Sequence, residues 1–306
     1  MEALHYILQQ DIDKKKWDRN LSKCSNRLIY ATSLYLDTMA GSWDAIIYGD
    51  YEILMPLPIR KKFGFRYVYA PAFTQQLGAF YVNAPPSSFY TAAFELILTK
   101  TSLIEYPLNY SNRDAVKSEQ TYLRSNFTIC LQSDFSTLSA LLLPAFTKTL
   151  RKLAKNKFYY VPSLNYNYAI QLYKTLYQAK QKSIKPADYN NFSVLVETLA
   201  RRQQVVCRQV VDVENNVLAI ALLLKDDLRL YNLIPCTTAV GRKLTANYLL
   251  YQELIKEFSE QNLILDFEGS DVAGIANFYK KMGPDNEPYP FIKINALPKI
   301  IKWIKQ

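Results

Sequence analysis

Histidine is almost missing: His5 is the one copy in 306 residues. That excludes a histidine-based catalytic triad and a histidine-rich metal site, and no metal is expected. Cysteine is sparse too. Cys24, Cys130, Cys207 and Cys236 lie far apart and make no Cys-x-x-Cys pair, which reads as reduced thiols in a cytoplasmic protein. No apolar run reaches the ~18 residues of a membrane span, so no integral membrane association is expected. Met1 to Lys16 is mixed in character and ends in Asp and Lys, unlike a secretory leader.

What is present describes a globular chain. Hydrophobic residues make up 49% and charged residues 21%, which argues against disorder. A length of 306 residues favours two domains, since single cores stop growing at roughly 250–300 residues. The formal net charge is +10 and unevenly spread. Residues 1–133 hold 14 Lys and Arg against 12 Asp and Glu, and residues 134–306 hold 23 against 15. A basic second half suits an anionic partner such as RNA, coenzyme A, a nucleotide-linked sugar or anionic lipid, or serves solubility alone. The 24 tyrosines fall largely in strand-like runs, where they read as strand formers rather than as base-stacking groups.

Apolar periodicity gives the element order. In the first half a hairpin, Trp43–Tyr48 with Tyr51–Pro58, is followed by a strand at Phe65–Tyr69, a helix at Phe89–Thr101, and strands at Leu103–Asn109 and Tyr122–Leu131. The second half begins with a helix at Asp134–Leu143 and a basic amphipathic segment, Phe146–Lys157. It continues through a strand, two helices, and three strands ending at Pro235. A loop, Cys236–Lys243, then leads to a long helix, Leu244–Phe258, and a strand at Leu263–Phe267. A helix at Val272–Met282 and a closing strand at Phe291–Asn295 complete it. The tail Lys299–Gln306 is a short amphipathic piece. Both halves are α/β with mixed sheets, and the boundary is expected at 133/134.

The stretch from Leu263 to Gly283 carries most of the chemistry. After the strand comes an acidic turn, Glu268-Gly-Ser-Asp271, with Ser270 or Asp271 as N-cap, and then the apolar stripe Val272, Ile275, Ala276, Phe278, Tyr279, Met282. Asp266 and Glu268 lie two apart, so an extended strand puts them on one face. Tyr279 precedes the helix-ending Gly283 by four residues. The stripe also reads simply as the core face of a surface helix.

This unit resembles the last strand–helix unit of the GNAT acyltransferase superfamily, in which a Tyr four residues before a Gly ends the helix beside the reaction centre. With the basic segment Thr149-Leu-Arg151-Lys-Leu-Ala-Lys155-Asn, the chain also resembles the Fem family of aminoacyltransferases, which carry two GNAT-like domains. The resemblance implies two tandem GNAT-like domains and transfer of an acyl or aminoacyl group, from acyl-CoA or aminoacyl-tRNA, to an amine. That amine would belong to a small molecule or a peptidoglycan-precursor-like substrate. It implies Asp266 or Glu268 as base and Tyr279 as acid, with the carrier's phosphates at Thr237, Gly241, Arg242 and Lys243. Two departures stand out. The Fem family has Lys after the Phe, where this chain has Tyr279 after Phe278, which tilts the donor toward a thioester and away from transfer RNA. The superfamily's Arg/Gln-x-x-Gly-x-Gly/Ala string is absent, and one glycine fits. That absence supports the alternative of a non-catalytic module that binds an anionic partner through a basic cleft.

Five further residues are candidates for substrate binding. Gln75 and Gln76 follow a strand, and in extended chain one of the two would face a cleft; they also read as a turn held by amide hydrogen bonds. Arg60, in the basic turn Arg60-Lys61-Lys62, would hold a phosphate or stay solvated. Arg151 and Lys155 lie in the basic segment.

Overall fold

The computed structural model describes residues 4–86, 88–113, 120–269 and 272–297. The candidate caps Ser270 and Asp271 and the tail Lys299–Gln306 lie outside the described residues. The chain divides into two compact units, one of Met1–Arg124 with Pro288–Gln306, the other of Ser125–Glu287. Where the sequence reading put one cut after residue 133, the chain passes between units twice, at 124/125 and 287/288. Both units are α/β with a mixed sheet.

In the first unit the sheet order is Leu4–Ile7, Trp43–Tyr48, Ile53–Lys62, Phe65–Val68, Leu103–Pro107, Tyr289–Asn295, Thr121–Arg124, with Phe80–Tyr81 pairing beside Ile53–Lys62. The expected hairpin forms, with Trp43 opposite Pro58 and Tyr48 opposite Ile53. Helix Lys14–Leu21 starts where the Asp13 carboxylate accepts the Lys16 N–H at 3.0 Å. It buries Trp17 edge-on against Trp43, with ring centroids 5.1 Å apart. The Trp17 indole N–H donates to the Ala31 carbonyl at 2.8 Å, so its polar atom is satisfied inside the core.

Two strands differ from the sequence reading. Tyr122–Leu131, expected as one strand, is two: Thr121–Arg124 belongs to the first unit's sheet and Phe127–Cys130 to the second's. The closing strand, expected to complete the second half, pairs instead with Leu103–Pro107 and Thr121–Arg124 in the first unit. Sheet membership depends on long-range partners that local alternation does not encode.

The second unit's sheet runs Asp285–Asn286, Phe127–Cys130, Ile264–Asp266, Arg229–Thr237, Val217–Lys225, Val205–Val211, Tyr159–Pro162. Seven consecutive residues of Val217–Lys225, from Leu218 to Leu224, are buried, so both faces of the sheet are covered. Helix Ala246–Phe258 packs with Val206, Val210, Ala219, Ala221 and Leu223 on one face. Helix Tyr166–Tyr177 lies against the other, where the Cys236 thiol approaches the Ala169 carbonyl. Strand Arg229–Thr237 pairs antiparallel with Val217–Lys225 and parallel with Ile264–Asp266. The parallel pairing stops at Tyr231 opposite Asp266, yet the longer strand continues through Pro235, which the sequence reading took as its end, to Thr237. Proline is tolerated there because the strand has become an edge on that side.

Candidate active site

Where Arg229–Thr237 outruns its parallel neighbour the sheet opens. Beside that opening is a cavity of about 340 Å³. Its walls are the strand end (Pro235, Cys236, Thr237), helix Tyr166–Tyr177 (Tyr173, Tyr177), helix Ala246–Phe258 (Asn247, Leu250, Tyr251) and helix Ala273–Lys280 (Gly274, Ile275, Phe278, Tyr279), with Gln181 and Arg242. Of the residues singled out in the sequence, Tyr279, Thr237 and Arg242 therefore share one cavity. Asp266, Glu268, Gly241 and Lys243 do not line it.

Tyr279 is 3% exposed and stacks on Phe267, centroids 4.5 Å apart and planes 23° from parallel. Burial drives its phenol well above the ordinary tyrosine range, and the nearby Tyr251 hydroxyl, to which it is hydrogen-bonded, adds to the effect. Tyr251 is raised by burial as well, while hydrogen bonds from Asn232 and with Tyr279 oppose that rise. The Asn232 amide donates to the Tyr251 hydroxyl at 2.8 Å. Both hydroxyls thus stay protonated through the neutral range. The apolar stripe of this helix divides: Tyr279 and Met282 are core, whereas Val272 and Ile275 are 61% and 44% exposed. Ile275 lies at the cavity instead.

The two carboxylates do not form the expected pair. Asp266 ends its strand, 1% exposed, and its Oδ2 is 2.9 Å from Nη1 of the buried Arg229. The Asn126 amide donates to the same oxygen at 3.2 Å. Its Oδ1 accepts the Glu268 N–H at 2.9 Å, folding the chain back so that Glu268 and Gly269 both take left-handed backbone, φ 62° and 63°. The shared face inferred for Asp266 and Glu268 needs extended chain through both, and the strand stops at the first. Glu287 completes the cluster on Arg229, with Oε2 2.9 Å from Nη1. Asp266 thus holds a buried guanidinium rather than facing the cavity.

The loop after the strand is a short helix, Ala239–Lys243, capped by Thr238, whose hydroxyl accepts the Gly241 N–H at 3.0 Å and donates to the Leu218 carbonyl at 3.1 Å. The Gly241 amide, expected to meet a phosphate, is used by that cap. Gly241 is required for another reason: a Cβ there would sit 1.9 Å from the Leu218 carbonyl oxygen. Gly241→Ala should therefore push helix off strand and destabilise the unit by about 1–3 kcal/mol, the usual range for overpacking. Denaturant melts check this, and an unchanged midpoint would show that the contact relaxes freely. Arg242 folds back to donate to the Thr237 carbonyl at 2.9 Å, and Lys243 is exposed beside it.

The remaining candidates lie elsewhere. Gln76 is buried in the first unit, donating to the Gln75 side chain at 2.9 Å and accepting the Tyr110 N–H at 2.9 Å, as a turn held by amide bonds requires. Arg60 stacks over the Tyr69 ring at 4.0 Å. Arg151 and Lys155 are exposed, on and just beyond helix Pro144–Leu153, whose Phe146 and Leu153 face inward. Tyr173, Tyr177, Tyr251 and Asn232 were not singled out in the sequence. Among the described residues no group of three or more His, Cys, Asp or Glu could hold a metal ion, and no helix is long and apolar enough to cross a membrane.

No protein-family profile matches the sequence, and no curated protein does. Solved structures do resemble it. The crystal structure of FemX superposes with a TM-score of 0.66 at 12% identity, over 96% of this chain and 99% of that one. A conserved protein of unknown function from Bacteroides thetaiotaomicron gives 0.60 at 10% identity, over 96% and 99%. The C-terminal domain of a putative lysylphosphatidylglycerol synthetase from Agrobacterium fabrum gives 0.57 at 8%, over 95% of each chain. At such identities the likeness is one of fold: over nearly its whole length this chain has the two-domain α/β fold seen in FemX.

Proposed function

We propose that this protein is an N-acyltransferase that moves an acyl or aminoacyl group from an activated carrier, acyl-CoA or aminoacyl-tRNA, onto an amine. The observation that supports this reading is the cavity beside the open end of strand Arg229–Thr237, where Tyr279, Thr237 and Arg242 converge. The acyl group occupies that cavity, and Arg242 with Lys243 draws the anionic carrier to its mouth. The acceptor nitrogen attacks the acyl carbon, forming the C–N bond as the carrier's C–S or C–O bond breaks. Tyr279 gives its proton to the departing atom and recovers one from the nitrogen, so the step needs no carboxylate in the cavity. Asp266, held by Arg229, keeps the neighbouring strand in place.

One observation favours the second reading, a non-catalytic module for an anionic partner: the Thr238 cap already uses the Gly241 amide that a carrier phosphate would need. A thermal-shift series with acetyl-CoA, longer acyl-CoAs, and charged and uncharged transfer RNA separates the two, because a ligand bound by the folded state alone raises its stability. Stabilisation by an acyl-CoA or by charged over uncharged transfer RNA supports the enzyme. Stabilisation by both transfer RNAs equally, with none by acyl-CoA, supports the module.

The exposed bases Arg151, Lys152 and Lys155 supply the attraction for a large anion in either reading. Changing all three to Ala should weaken binding of transfer RNA and flatten its dependence on log salt by about two to three units, since each lost phosphate contact releases roughly 0.7–0.9 fewer counterions. An unchanged affinity and slope would reduce this surface to a solvated helix face.

A further inference from the structure

In the first unit, strands Ile53–Lys62 and Phe65–Val68 are joined by two residues, Phe63 and Gly64, because Lys62 pairs directly with Phe65. Both turn residues have left-handed φ, 50° and 83°, the pattern of a type I′ turn. Asn, Asp or Gly takes the first of these positions at little cost, whereas a bulky ring is a marked exception there. Tyr51 is also left-handed, at 68°, but the fold uses it: its hydroxyl accepts the Asp13 N–H at 3.0 Å. Phe63 does not go inward in exchange. It is 71% exposed, the most exposed aromatic among the described residues, with Lys62 Nζ 5.2 Å from its ring centroid. Lys61 and Lys62 are exposed, and no acidic residue occurs from Arg60 to Arg66. The same end of the sheet carries the start of a second segment of this kind. Tyr67 is level with Leu103, and Leu103 with Asn295. Just beyond, the Ser102 N–H donates to the Arg66 carbonyl and the Ser102 carbonyl accepts the Ala296 N–H, both at 2.9 Å. The chain therefore leaves the described residues, at Leu297, two strands over from the hairpin. In sequence, residues 298–306 hold lysine at 299, 302 and 305 among Ile300, Ile301, Trp303 and Ile304, with no acidic residue.

We propose that this end of the first unit's sheet docks on an anionic lipid bilayer. The Phe63 ring enters the boundary between headgroups and acyl chains, Lys61 and Lys62 meet the lipid phosphates, and residues 298–306 add a second point of attachment. A left-handed turn that presents a ring to solvent is unfavourable in water and is repaid once the ring has an apolar medium to enter. Exposed Lys100, in the turn before Ser102, adds charge on the same side. A ring beside cations also suits nucleic acid, by stacking on a base. Isoleucine has no flat face to stack and gains only where water is excluded, so the composition of residues 298–306 favours lipid. The attachment is peripheral and needs no spanning helix. It stands on the first unit alone and does not depend on the acyltransferase reading.

The test is sedimentation of the full chain with vesicles of phosphatidylcholine alone or mixed with phosphatidylglycerol. The protein should sediment with the mixed vesicles and far less with the neutral ones. Binding should weaken between about 0.1 M and about 1 M salt, as the screening length falls from about 10 Å to about 3 Å. Phe63→Asn gives the turn a residue it favours, so its melting midpoint should equal or exceed the wild type's. Its affinity for mixed vesicles should nonetheless fall about tenfold, the effect of withdrawing one buried ring. Lys61→Ala and Lys62→Ala should each weaken binding about fivefold. Trp17 and Trp43 are fully buried, so a blue shift of tryptophan emission on adding mixed vesicles reports Trp303. No sedimentation with mixed vesicles, or an affinity that Phe63→Asn and the two lysine changes leave unaltered, overturns the inference. Transfer-RNA binding weakened by these same variants, in a protein that ignores vesicles, overturns it in favour of a nucleic-acid surface. Sedimentation without an emission shift overturns the part assigned to residues 298–306.

Discussion

Tyr279→Phe should melt close to the wild type yet turn over about 10²–10⁴-fold more slowly, the usual contribution of a positioned proton donor. The substitution keeps the ring stacked on Phe267 and the edge contact with Tyr251, so the packing survives. It removes the hydroxyl whose proton the departing carrier atom would take. The hydroxyl's structural worth is bounded by its bond to Tyr251, and losing that partner costs at most about 1–3 kcal/mol. Tyr251 would keep the Asn232 amide as donor. Rates with an identified acyl donor, measured beside a melting curve, decide the matter. Near-normal turnover, or a loss of activity fully explained by unfolding, would return Tyr279 to the core.

Arg229→Leu should have the largest effect on stability, about 3–5 kcal/mol, against a total of about 5–15 kcal/mol for a typical domain. Arg229 is 1% exposed, and removing it leaves the buried Asp266 carboxylate and the half-buried Glu287 carboxylate beside one another without their shared cation. The loss should carry a pH signature. Burial raises Glu287 and its carboxyl stays above the ordinary range although Arg229 pulls it down, with Asp266 adding to the rise. A carboxylate with a raised folded pKa binds its proton more tightly when folded, so stability is greater at low pH and declines as pH climbs through that pKa. Without Arg229 the rise becomes larger, and the variant's deficit should therefore shrink between pH 7 and pH 5. Replacing Asp266 and Glu287 by Leu in the same chain should recover part of the loss, because a wholly apolar cluster leaves no charge unpaired. Denaturant melts at the two pH values would contradict this if the deficit were below about 1 kcal/mol or the same at both.

Several features of the fold were legible in local pattern. The Trp43–Tyr48 hairpin, the strand Val217–Lys225 and the long helix Ala246–Phe258 all follow from periodicity, because each is determined by its own local pattern. The spacing of Tyr279 from Gly283 likewise pointed to a residue that lines the cavity. What stayed hidden depends on contacts far apart in sequence. Arg229 and Asp266 are 37 positions apart, and nothing in the Leu263–Phe267 run announces that its aspartate is already taken. Tyr173, Tyr177 and Tyr251 look like the inner stripe of ordinary helices. They become a cavity wall because the strand beside them outlasts its neighbour, a fact of topology and not of composition.

The interior place of Tyr289–Asn295 in the first unit's sheet bears on how the protein is made. Chains emerge from the ribosome N-terminus first, and domains usually fold in that order. Here a nascent chain that has reached Glu287 contains every residue of the second unit, while the first still lacks the strand that joins Leu103–Pro107 to Thr121–Arg124. Synthesis therefore completes the later unit before the earlier one, whose sheet waits with two strands unjoined until Tyr289–Asn295 has been made.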